Sequence, residues 1–568
     1  MKKNCMKTIS RYTIVLILIA FAALSCKKSL DSSLNVVPQN ELTDASVWAT
    51  SETADIFLNN IYGSLFDGNN CWDIMDNWTD ISMDGLAWPT SKTSTVMYHT
   101  YNAVNSFEMR TGYTDQTTLP FEWAHQYSYI RECNIFITGV NNNAANFPAD
   151  WKAKRLAEAR FLRAFFYHNL WIAYGGVPIL TEALNLTSQG DSIFHPRNTS
   201  DETYQFIVNE LAAIVKDLPL PSATDYGRIT KGTALTLKGY VELYNKDYIN
   251  AAADNKAVMD LGVYSLYPNY QDLFLPAGIT NNEGIFFRQY LPGALGGRES
   301  LRGPCFANNG TEVCWGGVNP SQQLVDNYAM ANGKPITDPT SGYNPQDPYK
   351  NRENRFYQSI VQDGAIFGTD TLYTRIGINS PNELDVNERN DASNTGYMLR
   401  KGISPTNIGS PNWSNATSSQ NYYYFRYAEV LLNYAEAKIE SGAIDQSVYD
   451  AIDQVRARSG LPTVEASYGT GLSQSTMRNV VRREREIELA FENKRWWDLI
   501  RWKTAETIIN KPVLAIKITI DPTSGKLVYT TVNAYNGARA FDPSKNYLFP
   551  IWQTIIDQNS KITQNPGY

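Results

Sequence analysis

The chain has 568 residues, of which 43% are hydrophobic and 19% charged, so it is long enough to bury a large core and to form several domains. Its formal net charge of −7 becomes −11 when residues 1–25, which carry four basic and no acidic side chains, are left out. Such an acidic body lacks the basic surface by which proteins bind nucleic acid, and this class of partner is excluded.

The N-terminal residues have the layout of a secretory signal peptide. A positively charged start with Lys2, Lys3, Lys7 and Arg11 precedes an apolar run over residues 14–24. This run is shorter than the ~20 apolar residues that a membrane-spanning helix needs, and no later run in the sequence is long enough either. We therefore expect residues 1–25 to direct export and then to be removed.

Cys26 follows Ala23, Leu24 and Ser25, an arrangement that resembles the lipobox of bacterial lipoproteins. Cleavage before Cys26 makes this cysteine an acylated N-terminus, and several acyl chains such as palmitate on one residue hold a soluble domain firmly on a membrane. The alternative is plain secretion after cleavage near Ser25. We predict lipidation, because the charged start, the short apolar run and the cysteine occur together.

Four further cysteines, Cys71, Cys133, Cys305 and Cys314, remain after export, and the sequence does not choose among their three pairings. Cys305 and Cys314 are close enough in sequence to close a loop as a disulfide in an exported protein, and two free, buried thiols are the alternative. The sequence has no CxxC motif and its four histidines are scattered, so we expect no zinc site.

Helical patterns begin soon after the predicted export signal. Residues 51–66 open with Ser51 and Thr53, which can cap a helix, and then place apolar residues at near-helical spacing. Residues 67–115 lose this periodicity and are rich in Asp, Asn, Thr, Trp and Tyr, which indicates a long functional loop. Further helices are predicted at 120–140, 150–174 and 201–217.

Two pairs of helices are predicted, the first at 229–245 and 248–261 and the second at 424–441 and 445–458. Small residues such as Gly239 leave room for close contact between the helices of the first pair, as in tetratricopeptide-type units.

Residues 262–425 are mostly loop, with short apolar stretches such as 284–290 that suit strands. Helices return at 474–492 and 494–508, followed by a hairpin over 513–531. The sequence therefore predicts a mainly α fold, in which a scaffold of tetratricopeptide-type helix pairs carries long irregular loops and a few short strands. Function usually resides on loops that such a frame positions.

No motif of an activated catalytic group is present, since the sequence contains no GxSxG, HExxH or GxxxxGK[ST] pattern. Carboxylate pairs of glycosidase type are uninformative among 57 acidic residues. We expect a binding protein without cofactor or metal and not an enzyme.

Aromatic residues supply the flat apolar faces on which sugar rings stack, and the chain has 13 tryptophans and 35 tyrosines. We assign the tryptophans of the predicted helices to the core: Trp171, Trp496, Trp497 and Trp502. Tryptophans in loops rich in small polar residues are candidates either for ligand contact or for loop anchors: Trp72, Trp78, Trp88, Trp315 and Trp413.

Several stretches, in the same order, resemble the SusD/RagB family of surface nutrient-binding lipoproteins of Bacteroidetes-type bacteria. Trp552, where the family often has proline, is a local departure. The matching stretches are AEARFLRAFFYHNLWIAYGGVPIL (157–180), NPSQQLVDNYAMANG (319–333), YKNRENRF (349–356), FRYAEVLLNYAEAKIESG (425–442), RREREIELAFENKRWWDLIRW (482–502) and YLFPIWQTIIDQNSKITQNPGY (547–568).

The resemblance implies a single SusD-like body over 26–568, with an N-terminal part over about 26–260 and a C-terminal part over about 261–568. It also implies an outer-membrane location facing the cell exterior. The implied partner is a SusC-like TonB-dependent β-barrel transporter, on which the lipoprotein sits as a lid.

The resemblance also directs the choice of ligand residues, because family members commonly place ligand aromatics in the segments of Trp88 and Trp315. Trp88 follows Asp84 and Gly85 in the first long loop, and Trp315 lies between Cys314 and two glycines. We predict that sugar rings of the ligand stack on Trp88 and Trp315. Tyr290 is the third candidate for stacking, and the candidate polar or flanking contacts are Asp67, Asn69, Asp84, Arg288, Arg400 and Tyr422.

The leading hypothesis is the capture of an oligo- or polysaccharide at the cell surface for import. Capture of peptides is a second hypothesis, because some relatives serve peptide uptake. A third is a structural helix-repeat lipoprotein that assembles other envelope proteins. The length of the loops favours capture over assembly, and an aromatic, polar groove favours glycans over peptides.

The first testable prediction concerns the anchor. Replacement of Cys26 by alanine should move the protein from the membrane fraction to the soluble fraction, because the acylated residue is lost while the export signal is kept. Fractionation of cells that express either form measures this. Equal membrane retention of both forms would contradict lipidation at Cys26.

Overall fold

The structure is a computed structural model of the chain. It describes residues 44–70, 74–85, 101–104, 119–291, 299, 302–304, 306–308, 311–313, 316–384, 393–405, 419–534 and 537–568. Across these ranges, none of the helices is both long enough and apolar enough to span a bilayer.

Helices dominate the part of the chain before residue 270, and their starts follow from local capping. Thr50, Thr199 and Thr230 each cap a helix by accepting a hydrogen bond from the backbone three residues later. These helices are α1 Asp44–Val47, α2 Ser51–Gly63, α3 Trp123–Asn142, α4 Ala149–Tyr174, α5 Leu186–Gln189, α6 Ser200–Ile214, α7 Lys231–Tyr244 and α8 Tyr248–Asp260.

The second half alternates helices with loops and short strands. Its helices are α9 Tyr270–Leu273, α10 Gln322–Asn327, α11 Asn354–Ser359, α12 Tyr427–Glu440, α13 Gln446–Arg458, α14 Val464–Tyr468, α15 Gln474–Glu488, α16 Arg495–Trp502, α17 Ala505–Ile508 and α18 Gln553–Gln558.

The described strands are short and pair only in twos, all antiparallel: β1 with β5, β2 with β10, β3 with β4, β6 with β9, β7 with β8, and β11 with β12. They are β1 Ser82–Met83, β2 Gly284–Arg288, β3 Phe306–Asn308, β4 Thr311–Val313, β5 Asn319–Pro320, β6 Ile360–Val361, β7 Ala365–Phe367, β8 Asp370–Leu372, β9 Met398–Leu399, β10 Tyr422–Arg426, β11 Leu514–Ile520 and β12 Leu527–Asn533.

The predicted mainly α fold with tetratricopeptide-type helix pairs is confirmed. Helices α7 and α8 form one pair and α12 and α13 the other, and α8 packs on α12. Gly239 of α7 lies against Asn255 of α8, where an added Cβ would come within 2.6 Å of the amide nitrogen of Asn255. The small residue thus permits the close helix contact that the sequence predicts.

Some boundaries differ from the sequence prediction. Residues 424–426, predicted as the start of a helix, belong instead to β10 (Tyr422–Arg426), because this strand pairs with β2. The predicted helix at 494–508 is broken at Lys503, which adopts a left-handed conformation with φ of 55°. The hairpin predicted at 513–531 is present as β11 and β12.

A large hydrophobic core joins the helices to residues far apart in sequence. It contains Trp171, Trp496 and Trp497, which are 4%, 1% and 6% exposed, as predicted for helical tryptophans. Trp502 is half-buried, and its indole donates a hydrogen bond to Glu436 over 2.6 Å. These rings therefore stabilise the scaffold.

A second kind of core consists of buried ion pairs, which we call the Arg426 network. Arg426 at the end of β10 donates to Glu283 over 2.7 Å, to Glu488 over 2.6 Å and to Glu492 over 2.7 Å. Arg355 lies 3.1 Å from Glu488, and Arg458 also contacts Glu488 and Glu283. The name covers Glu283, Arg355, Arg426, Arg458, Glu488 and Glu492, and further buried pairs extend the network from Glu492 to Lys401 and from Arg355 to Glu353 and Glu484.

The charges of this network are mutually compensated. Burial alone would raise the pKa of Glu488, but the guanidinium groups of Arg458, Arg426 and Arg355 outweigh it and hold that pKa well below its usual range. Removal of one charge from this network is costly, because the remaining buried charges lose their partner.

The second prediction tests this network. Glu488→Gln should lower the free energy of unfolding by about 3–5 kcal/mol, because it leaves buried arginines without their counter-charge. Urea unfolding of residues 27–568, followed by circular dichroism, measures the change.

The matched control is Asp260→Asn in the Lys256–Asp260 pair, whose side chains are 46% and 61% exposed. Water screens that pair, so its loss should leave the urea midpoint nearly unchanged. Equal midpoints for the two variants would show that the network contributes no special stability.

Candidate functional site

The candidate site is built on the antiparallel β2–β10 ribbon, in which Arg288 pairs with Tyr422. The ribbon packs against the segment that follows α2. Arg288 fixes this contact, since its guanidinium donates to the carbonyl of Gly63 over 3.1 Å and also to that of Leu65. The end of α2 thereby lies beside the outer end of the ribbon.

Asp67, Arg288 and Tyr290 form a half-exposed polar cluster at this end. The hydroxyl of Tyr290 donates to Oδ1 of Asp67, and Nη2 of Arg288 lies 3.8 Å from Oδ2 of the same carboxylate. The guanidinium also lies 5.7 Å from the centroid of the Tyr290 ring. The side chains of Asp67 and Arg288 remain 32% and 26% exposed, so both can still meet a ligand.

Burial raises the pKa of the Tyr290 phenol, and the charge of Asp67 raises it further. The phenol therefore keeps its proton at neutral pH and donates it to the carboxylate. This bond orients the ring of Tyr290, and a ring held in one orientation loses little freedom when a ligand stacks on it.

Tyr422 extends the site along β10. Its ring meets Phe66 edge-on at 5.8 Å between centroids, and its hydroxyl accepts a hydrogen bond from the Asn493 amide over 3.0 Å. Gly68 lies directly under this ring, where an added Cβ would come within 2.1 Å of it. Asn69 follows and donates to the carbonyl of Gln420 over 3.0 Å.

The structure thus brings five of the predicted contact residues together, which we call the ribbon site: Asp67, Asn69, Arg288, Tyr290 and Tyr422. A narrow cavity of about 70 Å³ lies next to Asn69 and Tyr422, and Arg302 and Gln420 also line it.

Trp78 is a correction to the sequence prediction. It is 1% exposed and packs edge-on against Trp496 at 5.6 Å and against Phe549 at 6.5 Å. Protein covers its ring, so it anchors its loop and offers no face to a ligand. A loop tryptophan flanked by polar residues gives the same sequence pattern in either role.

Arg400 makes its contacts away from the ribbon site. Its guanidinium lies 5.0 Å from the ring of Phe367 and donates to the carbonyl of Ile366 over 2.6 Å. Asp84 is 6% exposed, and its carbonyl accepts a hydrogen bond from Asn394 over 3.0 Å. These contacts of Arg400 and Asp84 involve no residue of the ribbon site.

Other predicted residues lie outside the described part of the chain, and their roles stay predictions: Cys26, Trp72, Trp88, Cys305, Cys314, Trp315 and Trp413. Of the cysteines in the described ranges, Cys133 is a free, buried thiol.

The sequence analysis missed Asn493, which holds Tyr422 of the ribbon site through a hydrogen bond. Its amide donates to Tyr422, and its Oδ1 accepts from the backbone of Met75 over 2.6 Å. Asn493 and Phe491 both adopt positive φ, of 62° and 65°, between two helices. Asparagine is favoured in this conformation, and this preference is the one feature of the sequence that could have pointed to Asn493.

Comparison with known proteins gives the family. The model of the SusD family matches residues 282–568, and a model described as starch-binding, associating with the outer membrane, matches residues 36–241. The SusD-like protein P38 of Formosa agariphila is 25% identical and covers 97% of this chain and 98% of its own length. The SusD-like protein P2 of the same organism is 26% identical, with 82% of this chain and 83% of that protein covered.

Solved structures agree in fold. A SusD-like protein from Bacteroides fragilis superposes with a TM-score of 0.77 at 27% identity, covering 94% of this chain and all of that one. A SusD-like carbohydrate binding protein from the same organism gives a TM-score of 0.76 at 28% identity, covering 91% of this chain and all of that one. The resemblance seen in the sequence is confirmed, and the chain belongs to the SusD/RagB family.

Proposed function

We propose that this protein is a lipid-anchored receptor at the outer face of the outer membrane, which captures an oligo- or polysaccharide and delivers it to a SusC-like TonB-dependent transporter. The observation that carries the proposal is the half-exposed cluster of Asp67, Arg288 and Tyr290 beside Tyr422. The names of the matching family model, starch-binding, and of a 28% identical relative, carbohydrate binding, support the ligand class.

The ribbon site offers both kinds of contact that a sugar needs. The rings of Tyr290 and Tyr422 supply apolar faces for the C–H side of a pyranose or furanose. The carboxylate of Asp67 and the guanidinium of Arg288 are oriented by each other and by Tyr290, so they can bind hydroxyl groups with fixed geometry. A site made of oriented stacking and hydrogen-bonding groups suits recognition.

We propose that Trp88 and Trp315 contribute to one binding face, and the β1–β5 pairing of the described residues near them supports this. Met83 of β1 lies opposite Asn319 of β5. Because the strands are antiparallel, the chain that runs on to Trp88 and the chain that comes from Trp315 leave the same end of the pairing. The two tryptophans, which are far apart in sequence, therefore lie on segments that start next to each other.

Binding without catalysis fits the chemistry of the ribbon site. Of its five residues, Asp67 is the only carboxylate, and it is engaged by Tyr290 and Arg288. Glycoside hydrolysis needs two carboxyl groups, one on each side of the scissile bond. We therefore propose that the protein binds and releases the glycan without cleaving it. A reducing-sugar assay after incubation with the glycan would check this.

The third prediction locates the ligand. Tyr290→Ala, Trp88→Ala and Trp315→Ala should each weaken glycan binding by about 1–3 kcal/mol, because each removes a stacking face. A glycan array on residues 27–568 identifies the ligand, and calorimetry with that ligand measures the variants.

The matched control is Tyr373→Ala. Tyr373 also lies beside an arginine, Arg375, at 4.7 Å, and Arg375 is paired with Asp363 over 2.6 Å. Tyr373 thus stacks beside an ion-paired arginine, as Tyr290 does, but it is not part of the ribbon site, so the Tyr373→Ala variant should bind glycan as the wild type does. Normal binding by all three site variants, or a large drop in their unfolding temperature, would show that these rings are anchors.

The fourth prediction concerns the transporter. A lipid tether keeps the receptor close to its partner and makes their association nearly intramolecular. A lid on a barrel should bury more than the ~1,200 Å² of an ordinary specific interface. Affinity-tagged protein at native expression, solubilised in mild detergent with glycan present, should therefore bring down a TonB-dependent barrel. Recovery of the lipoprotein alone would favour a free-standing surface binder.

A further inference from the structure

A second, larger cleft opens on the other face of β2. Its volume is about 460 Å³, within the range of small-molecule sites in proteins. Three segments line it: residues 221–230 before α7, residues 263–268 after α8, and residues 280–287 at the start of the ribbon. We call it the second cleft.

The alternation of side chains along β2 places the two sites on opposite faces. Phe286 points into the core, where its ring lies 5.1 Å from that of Phe165, and Arg288 points the same way into the ribbon site. Ile285 and Phe287 point the other way and line the second cleft. One strand thus separates the ribbon site from the second cleft.

Two tyrosines present oriented rings to the second cleft. The hydroxyl of Tyr226 donates to the carbonyl of Ile279 over 3.0 Å, and its ring packs on Phe287 at 5.1 Å. The hydroxyl of Tyr267 donates to the carbonyl of Ala277 over 3.3 Å. Rings held in this way are ready to stack on a ligand at low entropic cost.

The charges of the second cleft are neutralised within the protein. Asp225 pairs with Lys154 over 2.5 Å, and Arg228 pairs with Glu158 over 2.8 Å. A charged ligand would have to compete with these pairs. The cleft therefore favours a neutral ligand.

Backbone carbonyl groups at the floor of the cleft already accept hydrogen bonds from the protein, which disfavours binding of an extended peptide. The carbonyl of Ile285 accepts from the Thr233 hydroxyl over 3.0 Å, and that of Asn282 accepts from the backbone of Ser265 over 3.1 Å. A peptide that binds by strand addition needs such groups free. The side chain of Asn282, by contrast, is exposed at the mouth and makes no hydrogen bond to another described residue.

We propose that the second cleft is a second saccharide-binding site, which takes a short, neutral oligosaccharide by stacking on Tyr226 and Tyr267 and by hydrogen bonds to Asn282. Its ligand class rests on the proposed function. A single polysaccharide chain long enough to reach both sites would be held at two points, and this would raise the avidity for long glycans over short ones.

The test uses residues 27–568 with maltoheptaose, laminarihexaose, xylohexaose and mannohexaose as probes, at millimolar concentration. Calorimetry gives the number of sites, and hydrogen exchange gives their location. We expect slower exchange in 221–228 and 263–268 with the bound sugar, and a fall in affinity of about fivefold for that site in Tyr267→Ala.

A second variant guards against misfolding. Ser222→Trp adds a bulky ring at the exposed rim and removes only the exposed hydrogen bonds of the Ser222 hydroxyl with Thr224 and with the backbone of Asp225, so it should block the second cleft with little change in unfolding temperature. Tyr290→Ala should leave the protection of 221–228 unchanged, and Tyr373→Ala should leave both sites unchanged.

The outcomes separate the two proposals. One site per chain, abolished by Tyr290→Ala and unaffected by Tyr267→Ala and Ser222→Trp, overturns the second site and keeps the proposed function. Binding that only Tyr267→Ala and Ser222→Trp reduce keeps the second cleft and overturns the ribbon site. If none of the four sugars protects 221–228, the second site is overturned, whereas the proposed function is overturned only if the glycan array also finds no ligand.

Discussion

The buried charge of Arg426 is the constraint on which the rest of this structure depends. It ends β10, it is 1% exposed, and it is held by Glu283, Glu488 and Glu492. Glu283 directly precedes β2, so one guanidinium ties both strands of the ribbon to the end of α15. Because an unpaired buried charge is very costly, these three segments can fold only together.

The ribbon is fixed at one end and carries the proposed binding residues at the other. The Arg426 network holds the inner end, while Arg288 and Tyr290 at the outer end meet Asp67 after α2. The helices therefore form a rigid scaffold, and β2 and β10 fix to it the loops around the ribbon site, which have little regular structure of their own. A binding site on such a support keeps its geometry before the ligand arrives.

The helical frame could be predicted from periodicity, capping and the small residues between paired helices, because these signals act within a few residues of the chain. The position of β10 could not be predicted in this way. Residues 422–425 are all aromatic, and α12 begins directly after Arg426 without a turn residue, so only the pairing with β2 marks residues 422–426 as a strand. The left-handed residue Asn493 likewise shows its importance only through Tyr422.

The sequence by itself determined the mainly α frame and the family, and it predicts the export signal and the lipidated cysteine, since each depends on local pattern or on ordered motifs. Only the tertiary structure decided which aromatic residues are exposed. Trp78 and Tyr290 were both candidates for ligand contact from the sequence, yet Trp78 is covered by Trp496 and Phe549 while Tyr290 stays half-buried beside Asp67. Exposure depends on residues that arrive from elsewhere in the chain, and no local pattern records them.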